Sequence, residues 1–333
     1  MYIETLFDDF LNYLRTARGR SDATLKEYYY DLRMVFRFLV QRKEGLQGDL
    51  EEVPLDAIDD DFLKSINKRD IYAYSSYLMR ERGNGKRTVV RKLSSVRTFF
   101  RYLHETLELL ESNPLETVEL PKIEKRLPVY LTLEESVHLL QTVKESKQQE
   151  IYRLRDYAIT LLFLNVGIRL SELANIQVAD LNHGQTLRIF GKGAKERMVY
   201  LNDTVLEALN TYLKERKRLG LDNDTLFLSM RKTPMSTRSI QHMMEKHLKN
   251  AGFDTRKYTV HKLRHTAATL MYQYGDEDIR ALQEILGHES MTTTQIYTHV
   301  SAEDVRHMMN KNPLGRSEDL NEMLSQRGEK SED

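Results

Sequence analysis

The chain has 333 residues, enough for about two domains. Its 50 basic and 50 acidic side chains give a formal net charge of zero, so a nucleic-acid partner would have to be met by segregated charge rather than by an overall basic field. There is no cysteine, which excludes disulfides, thiolate chemistry and cysteine metal sites.

The charge is in fact segregated. Asp49 to Asp61 carries seven acids and no Lys or Arg, Lys86 to Arg101 carries six Lys or Arg and no acid, and the tail from Arg316 is mainly acidic. The opening MYIETLFDDF lacks a basic region followed by an apolar core, so no signal peptide is read there. The longest apolar run, around Ala158 to Val166, is too short to span a bilayer. A cytoplasmic location is the default expectation.

The first elements are helical. Ile3, Leu6, Phe7, Phe10, Leu11 and Leu14 follow helix spacing, and so do Leu25, Tyr28, Tyr29, Leu32, Val35, Phe36 and Leu39. The acidic stretch Gly45 to Asp61 interrupts this pattern and reads as a solvated loop. Asn67 to Glu81 predicts a third helix with Asn67 as its N-cap.

Lys86 to His104 predicts a fourth helix. Val89, Leu93, Val96, Phe100 and Leu103 form one face. Arg87, Arg91, Ser94, Thr98 and Arg101 repeat that spacing two residues out of phase, which is ~200° around the helix. One face buries, and the other presents guanidiniums and hydroxyls. An acid that would neutralise these arginines along the helix is not apparent within Lys86 to Arg101. Such a face suits phosphate contact. The candidate DNA-contacting residues are Arg87, Arg91, Lys92, Arg97 and Arg101.

Pro114, Pro121 and Pro128 punctuate a polar segment with Lys122, Lys125 and Arg126. Proline breaks helices and keeps chain extended, so this segment reads as a linker. Thr132 to Glu135 is a TxxE capping box that opens the next helix. Arg153 to Val166 is a further helix, nearly all apolar on its buried side, with Gly167 as the stop. Arg169 follows at once, at the junction to a helix begun by Ser171, Glu172 and Leu173. Glu172 reads as a supporting residue rather than a reacting one.

Thr186 to Phe190 and Arg197 to Leu201 flank GKGAKE and read as a β-hairpin with Gly191 and Gly193 in the turn. Lys192 sits at its tip, with Lys195 as a rival. The segment is not a nucleotide P-loop, because GxxxxGK[ST] is missing. Helices follow at Leu206 to Arg218 and Ser236 to Asn250. Thr259 to Tyr272 then buries Leu263, Ala267 and Leu270, while His261 and Arg264, three apart, share a different face. His261 and His265 could hold zinc, but Lys262 stands where HExxH has its glutamate, so a phosphate-binding role ranks above a metal one and no metal site is expected.

Leu282 to His299 reads LQEILGHESMTTTQIYTH. It holds Gly287 and His288 and, nine residues after His288, Tyr297. A tyrosine is ordinarily a structural residue, and this chain has 18 of them. The upstream company distinguishes Tyr297. Arg169, Lys192, His261, Arg264, His288 and Tyr297 together are residue types fit to hold a phosphodiester and attack it. Beyond them, Ser301 to Asp304 is an SxxD box for a short helix.

In this order and spacing, the set strongly resembles the tyrosine recombinase (integrase) family, and most closely its Xer-type members. The resemblance covers nearly the whole chain and includes Asn113 to Thr132, which is similar to the Xer interdomain connector. It implies a mainly α fold with a small β-hairpin or sheet. An N-terminal helical, SAM-like core-binding domain (residues 1–112) would be joined by a linker (113–131) to a C-terminal α+β catalytic domain (132–315). The acidic tail 316–333 extends past the usual Xer ending. With Leu320, Met323 and Leu324 as its apolar residues, it is expected to be mostly disordered.

The resemblance also assigns roles. Arg169 and Arg264 would bind the phosphate, Lys192 would protonate the leaving oxygen, His288 would donate a hydrogen bond, and Tyr297 would attack. His261 is the candidate base. The implied partners are double-stranded DNA with paired half-sites and a homotetramer, or a heterotetramer with a second recombinase, passing through a Holliday junction. No cofactor is implied. The segment after Tyr297 would dock on a neighbouring subunit. Three alternatives stand beside this reading: DNA relaxation of the type IB topoisomerase kind, a metal-dependent nuclease, and a non-catalytic DNA-binding protein on the same fold.

Overall fold

The computed structural model describes residues 2–123, 129–182, 185–191, 196–274, 309 and 311–329. The chain divides into two compact units, Met1–Arg126 and Leu127–Asp333. None of the helices among the described residues is long and apolar enough to cross a membrane.

The first unit is helical. It contains α1 (Tyr2–Thr16), α2 (Asp22–Glu44), α3 (Asp60–Ser65), α4 (Lys68–Arg80) and α5 (Lys86–Glu105). Their apolar stripes meet in one core in which Phe7, Phe10, Phe36, Phe99 and Phe100 are all fully buried. Phe7 and Phe99 meet edge-on with centroids 5.5 Å apart, and Phe10 and Phe99 do so at 5.2 Å. Burying each such ring contributes roughly 1.5–3 kcal/mol, which anchors α5 between α1 and α2. Asn67 caps α4 in a reciprocal box with Asp70.

The acidic stretch is not a solvated loop. Leu50, Val53, Leu55 and Ile58 are buried in the same core, while the acids between them stay outside. Asp49 accepts from the Glu51 N–H to cap a 3-10 turn at Leu50–Glu52, and Asp59 accepts from the Phe62 N–H to cap α3. The acids here are caps and solubilising groups on a segment pinned by its apolar residues. Likewise, Leu115 and Val118 of the expected linker are buried in the first unit's core. Arg97 donates to the carbonyls of Leu115 and Val118 at 3.1 and 2.8 Å, so this part of the segment belongs to the first unit.

The second unit is α+β. Its helices are α6 (Leu133–Lys144), α7 (Glu150–Asn165), α8 (Leu170–Ala174), α9 (Asp203–Arg218), α10 (Thr237–Asn250), α11 (Val260–Tyr274) and α12 (Ser317–Glu329). Thr132 and Glu135 close the capping box of α6. Helix α7 is the central element, buried without interruption from Ala158 to Asn165. A helix apolar on all sides must be covered on all sides, and α6, α9 and α11 pack against it. The hairpin pairs β2 (Thr186–Phe190) with β3 (Glu196–Tyr200), antiparallel, with Leu187 opposite Val199 and Phe190 opposite Glu196. A short strand β1 (Leu181–Asn182) adds to β2, so the sheet has three strands.

Nor is the acidic tail mostly disordered. It forms α12, which packs on α6 and α9 and buries Leu320 and Leu324 in the second unit's core. Before it, Met309, Asn312 and Leu314 are fully buried in the same unit. Asn312 donates to the Leu164 carbonyl at 3.2 Å, and the Thr204 N–H donates to the Gly315 carbonyl at 3.3 Å. Three apolar residues spaced along one helix were enough to find a groove. The SxxD helix expected at Ser301 to Asp304 lies outside the described residues.

Candidate active site

The site is built where α7 stops. The chain leaves Val166 and turns at Gly167, whose φ of 62° lies in the left-handed region that glycine occupies without steric cost. Ile168 is buried, and Arg169 follows in extended conformation as the N-cap of α8. The Arg169 N–H donates to Glu172 Oε2 at 2.9 Å, which fixes the first turn. Its guanidinium Nη1 donates to Glu172 Oε1 at 2.7 Å, with 39% of the side chain exposed.

Helix α11 brings the second arginine to the same corner. Arg264 Nη1 donates to the Gly167 carbonyl at 2.5 Å. His261 lies one turn earlier on α11 and is exposed. The turn that ends α7 is therefore bonded by one candidate arginine and immediately precedes the other. Thr266, also on α11, accepts from the Leu131 N–H at 2.9 Å and ties the start of the unit to this helix.

A third guanidinium completes the cluster. Arg197 of β3 donates to Glu172 from Nη1 at 2.8 Å and from Nη2 at 2.9 Å. Glu172, 3% exposed, thus receives two bonds from Arg197 and two from Arg169. Burial by itself would raise its pKa. The bonds from Arg197 and Arg169 overcome that and hold the carboxyl at about 2. Arg264 moves the other way: burial, then the neighbouring Arg169 guanidinium, bring it down to about 10, against the opposing pull of Glu172. It remains charged at neutral pH. Three guanidiniums gathered about one carboxylate repel one another, and an arriving anion relieves that repulsion.

His265 is exposed on α11, and partial desolvation together with Lys262, Arg264 and His261 lowers its pKa, which favours the neutral imidazole. Lys192 and its rival Lys195, in the connection from Phe190 to Glu196, lie outside the described residues, as do His288 and Tyr297. Arg197 is a residue that motif reading passes over. Its signal is strand alternation: it shares the inward face of β3 with Val199, and a charged group there needs a partner.

On α5, acids do accompany the arginines, from outside the helix window. Lys92 is 9% exposed and donates to buried Asp31 at 2.8 Å, as do Ser95 at 2.9 Å and Arg91 at 2.7 and 3.1 Å. Arg91 also reaches Glu27 at 3.1 Å, and Arg101 lies 3.9 Å from Glu105. Arg97 is spent on the backbone carbonyls described above. Arg87 and Arg101 are exposed on the polar face, and Arg91 keeps 45% of its side chain exposed.

Fold and site define a two-domain protein with a cationic centre at a helix junction of its second domain. Residues 129–304 match the phage integrase family, and residues 7–50 match the phage integrase N-terminal SAM-like domain. The chain belongs to the phage integrase family, the tyrosine recombinases, and is an enzyme of the Xer type. It is 44% identical over 314 residues to tyrosine recombinase XerC of Caldanaerobacter subterraneus subsp. tengcongensis, covering 93% of this chain and 87% of that one. It is 33% identical to tyrosine recombinase XerD of Staphylococcus saprophyticus, covering 93% and 98%. Among solved structures, XerH recombinase bound to a palindromic difH substrate in a post-cleavage complex has a TM-score of 0.63 at 24% identity, covering 91% of this chain and 84% of that one. A lambda integrase tetramer bound to a Holliday junction has a TM-score of 0.61 at 21% identity, covering 88% and 79%. These two share the fold.

Proposed function

We propose that this recombinase cuts and rejoins duplex DNA at a specific site through a 3′-phosphotyrosyl intermediate on Tyr297, without metal or ATP. The observation that carries the reading is the convergence of Arg169 and Arg264 on one corner around Glu172. A free phenol has a pKa near 10, so only about a thousandth is ionised at neutral pH. His261 takes the phenolic proton as Tyr297 attacks phosphorus. Arg169 and Arg264 hold the non-bridging oxygens, whose charge grows in the transition state, and His288 adds a hydrogen bond. The bond to the 5′ oxygen breaks, and Lys192 supplies its proton. The phosphotyrosyl bond keeps the phosphodiester energy, so a 5′-hydroxyl of another strand reverses the step without an external energy source.

The assembly in this reading has four subunits, identical or shared with a second recombinase, on paired half-sites and passing through a Holliday junction; the lambda integrase tetramer on a Holliday junction supports the number of subunits. The exposed Arg87, Arg91 and Arg101 of α5 meet phosphates, while Lys92 and Arg97 act inside the first domain. The work is done in the cytoplasm, as chromosome-dimer resolution or as integration and excision of a mobile element.

The deciding experiment is covalent capture of fragmented genomic DNA from the source organism by the full chain, run in EDTA and followed by sequencing of the attached strand. A protein–DNA adduct that survives denaturation, persists in EDTA and is lost in Tyr297→Phe supports the reading, and the attached sequence tells the two biological roles apart. An adduct still formed by Tyr297→Phe, or one that requires a divalent metal, overturns it.

A further inference from the structure

We infer that Arg197 is a positioning residue for Arg169: by occupying Glu172 with a two-pronged grip, it keeps that carboxylate from drawing the Arg169 guanidinium away from the scissile phosphate. This rests on the proposed phosphate-binding role of Arg169. Four observations carry it. Glu172 is buried, and a buried carboxylate seeks every donor in reach. Among the described residues, Arg197 supplies two of the four hydrogen bonds Glu172 receives, at 2.8 and 2.9 Å. Arg169 supplies the other two, but only one comes from its side chain; the second comes from its own backbone N–H. Arg197 is itself only 17% exposed along the side chain and stands on the inward face of β3, in the fixed register that pairs it with Ile189.

The consequence is geometric. An arginine and a carboxylate left to themselves prefer two parallel N–H···O bonds. A phosphate prefers the same fork from the same guanidinium. With Arg197 seated on both oxygens of Glu172, the carboxylate cannot also take the Arg169 fork. Without Arg197, Glu172 would recruit a second Nη or Nε of Arg169, and every phosphate contact would have to compete with that pair.

The test uses the full-length protein and the duplex that the wild type captures covalently, resynthesised in three forms. One has an ordinary scissile phosphate. One has a neutral methylphosphonate at that position, with a non-bridging oxygen replaced so that less charge needs holding. One has sulfur in place of the leaving 5′ oxygen, which departs without a proton. Single-turnover adduct formation is measured for wild type, Arg197→Leu and Arg197→Lys. A misplaced catalytic group typically costs about a hundredfold in rate. The expected result is a loss of about that size for Arg197→Leu on ordinary DNA, a much smaller gap to wild type on the methylphosphonate, and an undiminished gap on the sulfur substrate.

Arg197→Lys keeps the charge and loses the fork, so it should show the same pattern. It carries the test should Arg197→Leu leave the buried Glu172 carboxylate too short of partners to fold. Recovery on the sulfur substrate would overturn the inference, because Arg197 would then serve the leaving-group lysine. An equal deficit on ordinary and methylphosphonate DNA, or no deficit at all, would also overturn it. Absence of any wild-type adduct would instead remove the proposed function beneath it.

Discussion

Lys92 donates to Asp31 at 2.8 Å across 61 positions of sequence, inside the helical first domain. That bond decides which side of α5 is available for other work. It takes a lysine out of the basic face and turns it into a tie between α5 and α2. Ser95 and Arg91 reach the same carboxylate, so one aspartate gathers three polar side chains from adjoining turns of α5.

The first prediction follows from this tie. Lys92→Met keeps most of the side chain's volume and removes its charge. Breaking a buried ion pair by removing one partner costs roughly 3–5 kcal/mol, and Arg91 still bonded to Asp31 should keep the loss toward the lower end. Urea unfolding of the variant should show a clear drop in midpoint, and the double variant Lys92→Met/Asp31→Asn should recover part of it. A midpoint equal to wild type for the single variant would mean that the pair contributes nothing.

A second prediction separates arginines that look alike in sequence. Arg87 is exposed, whereas Arg97 is bonded to the Leu115 and Val118 carbonyls. If α5 meets DNA, Arg87→Ala should weaken binding and make the slope of log affinity against log salt shallower by about one unit. Arg97→Ala should leave that slope alone and lower the unfolding temperature. A salt titration that shows the reverse assignment would remove α5 from the proposed interface.

Glu172 gives a pH signature. Its carboxyl is held at about 2 when folded, against an ordinary value of 4.5. A depressed folded pKa means stability that is present above the unfolded pKa and is lost as pH falls toward the folded one. Wild type should therefore exceed Glu172→Gln in unfolding temperature above about pH 5, and the gap should close between 4.5 and about 2. A gap constant over that window would show that the carboxylate's charge is not what matters.

Local signals were legible in the sequence where the physics is local. The caps at Asn67 and Thr132, the stop at Gly167, the hairpin around GKGAKE and the pairing of His261 with Arg264 on one helix depend on neighbours within a few residues. The partners of charged side chains do not. Asp31 and Lys92 are far apart in the chain, and Glu172 and Arg197 lie 25 positions apart on different elements, so helix-face arithmetic alone cannot join them. The acidic stretch is misleading for a related reason: its charge is the conspicuous feature of Asp49 to Asp61, while the spaced Leu50, Val53, Leu55 and Ile58 pin it to the core.

The tail yields the last prediction. Leu320 is 1% exposed and Leu324 7% exposed in the second unit's core, on a helix lying over α6 and α9. The approach to that helix is tightly built. A Cβ at Gly315 would come within 2.5 Å of the Asn202 side chain and 2.9 Å of the Asn312 carbonyl. Asn202 in turn donates to Asn165 at 2.8 Å, at the end of α7. The described residues from Met309 onward are thus fastened to their own domain. Leu320→Ala should cost about 2–5 kcal/mol, as burial of a leucine in a packed core implies. Removing everything after Gly315 should cost at least as much and lower the unfolding temperature by several degrees. Gly315→Ala should also destabilise, by forcing Asn202 off its partner. Calorimetry on the three variants checks the set. A truncation that melts with wild type would mean that α12 adds no net stability where it lies, and the tail could then be cut without consequence.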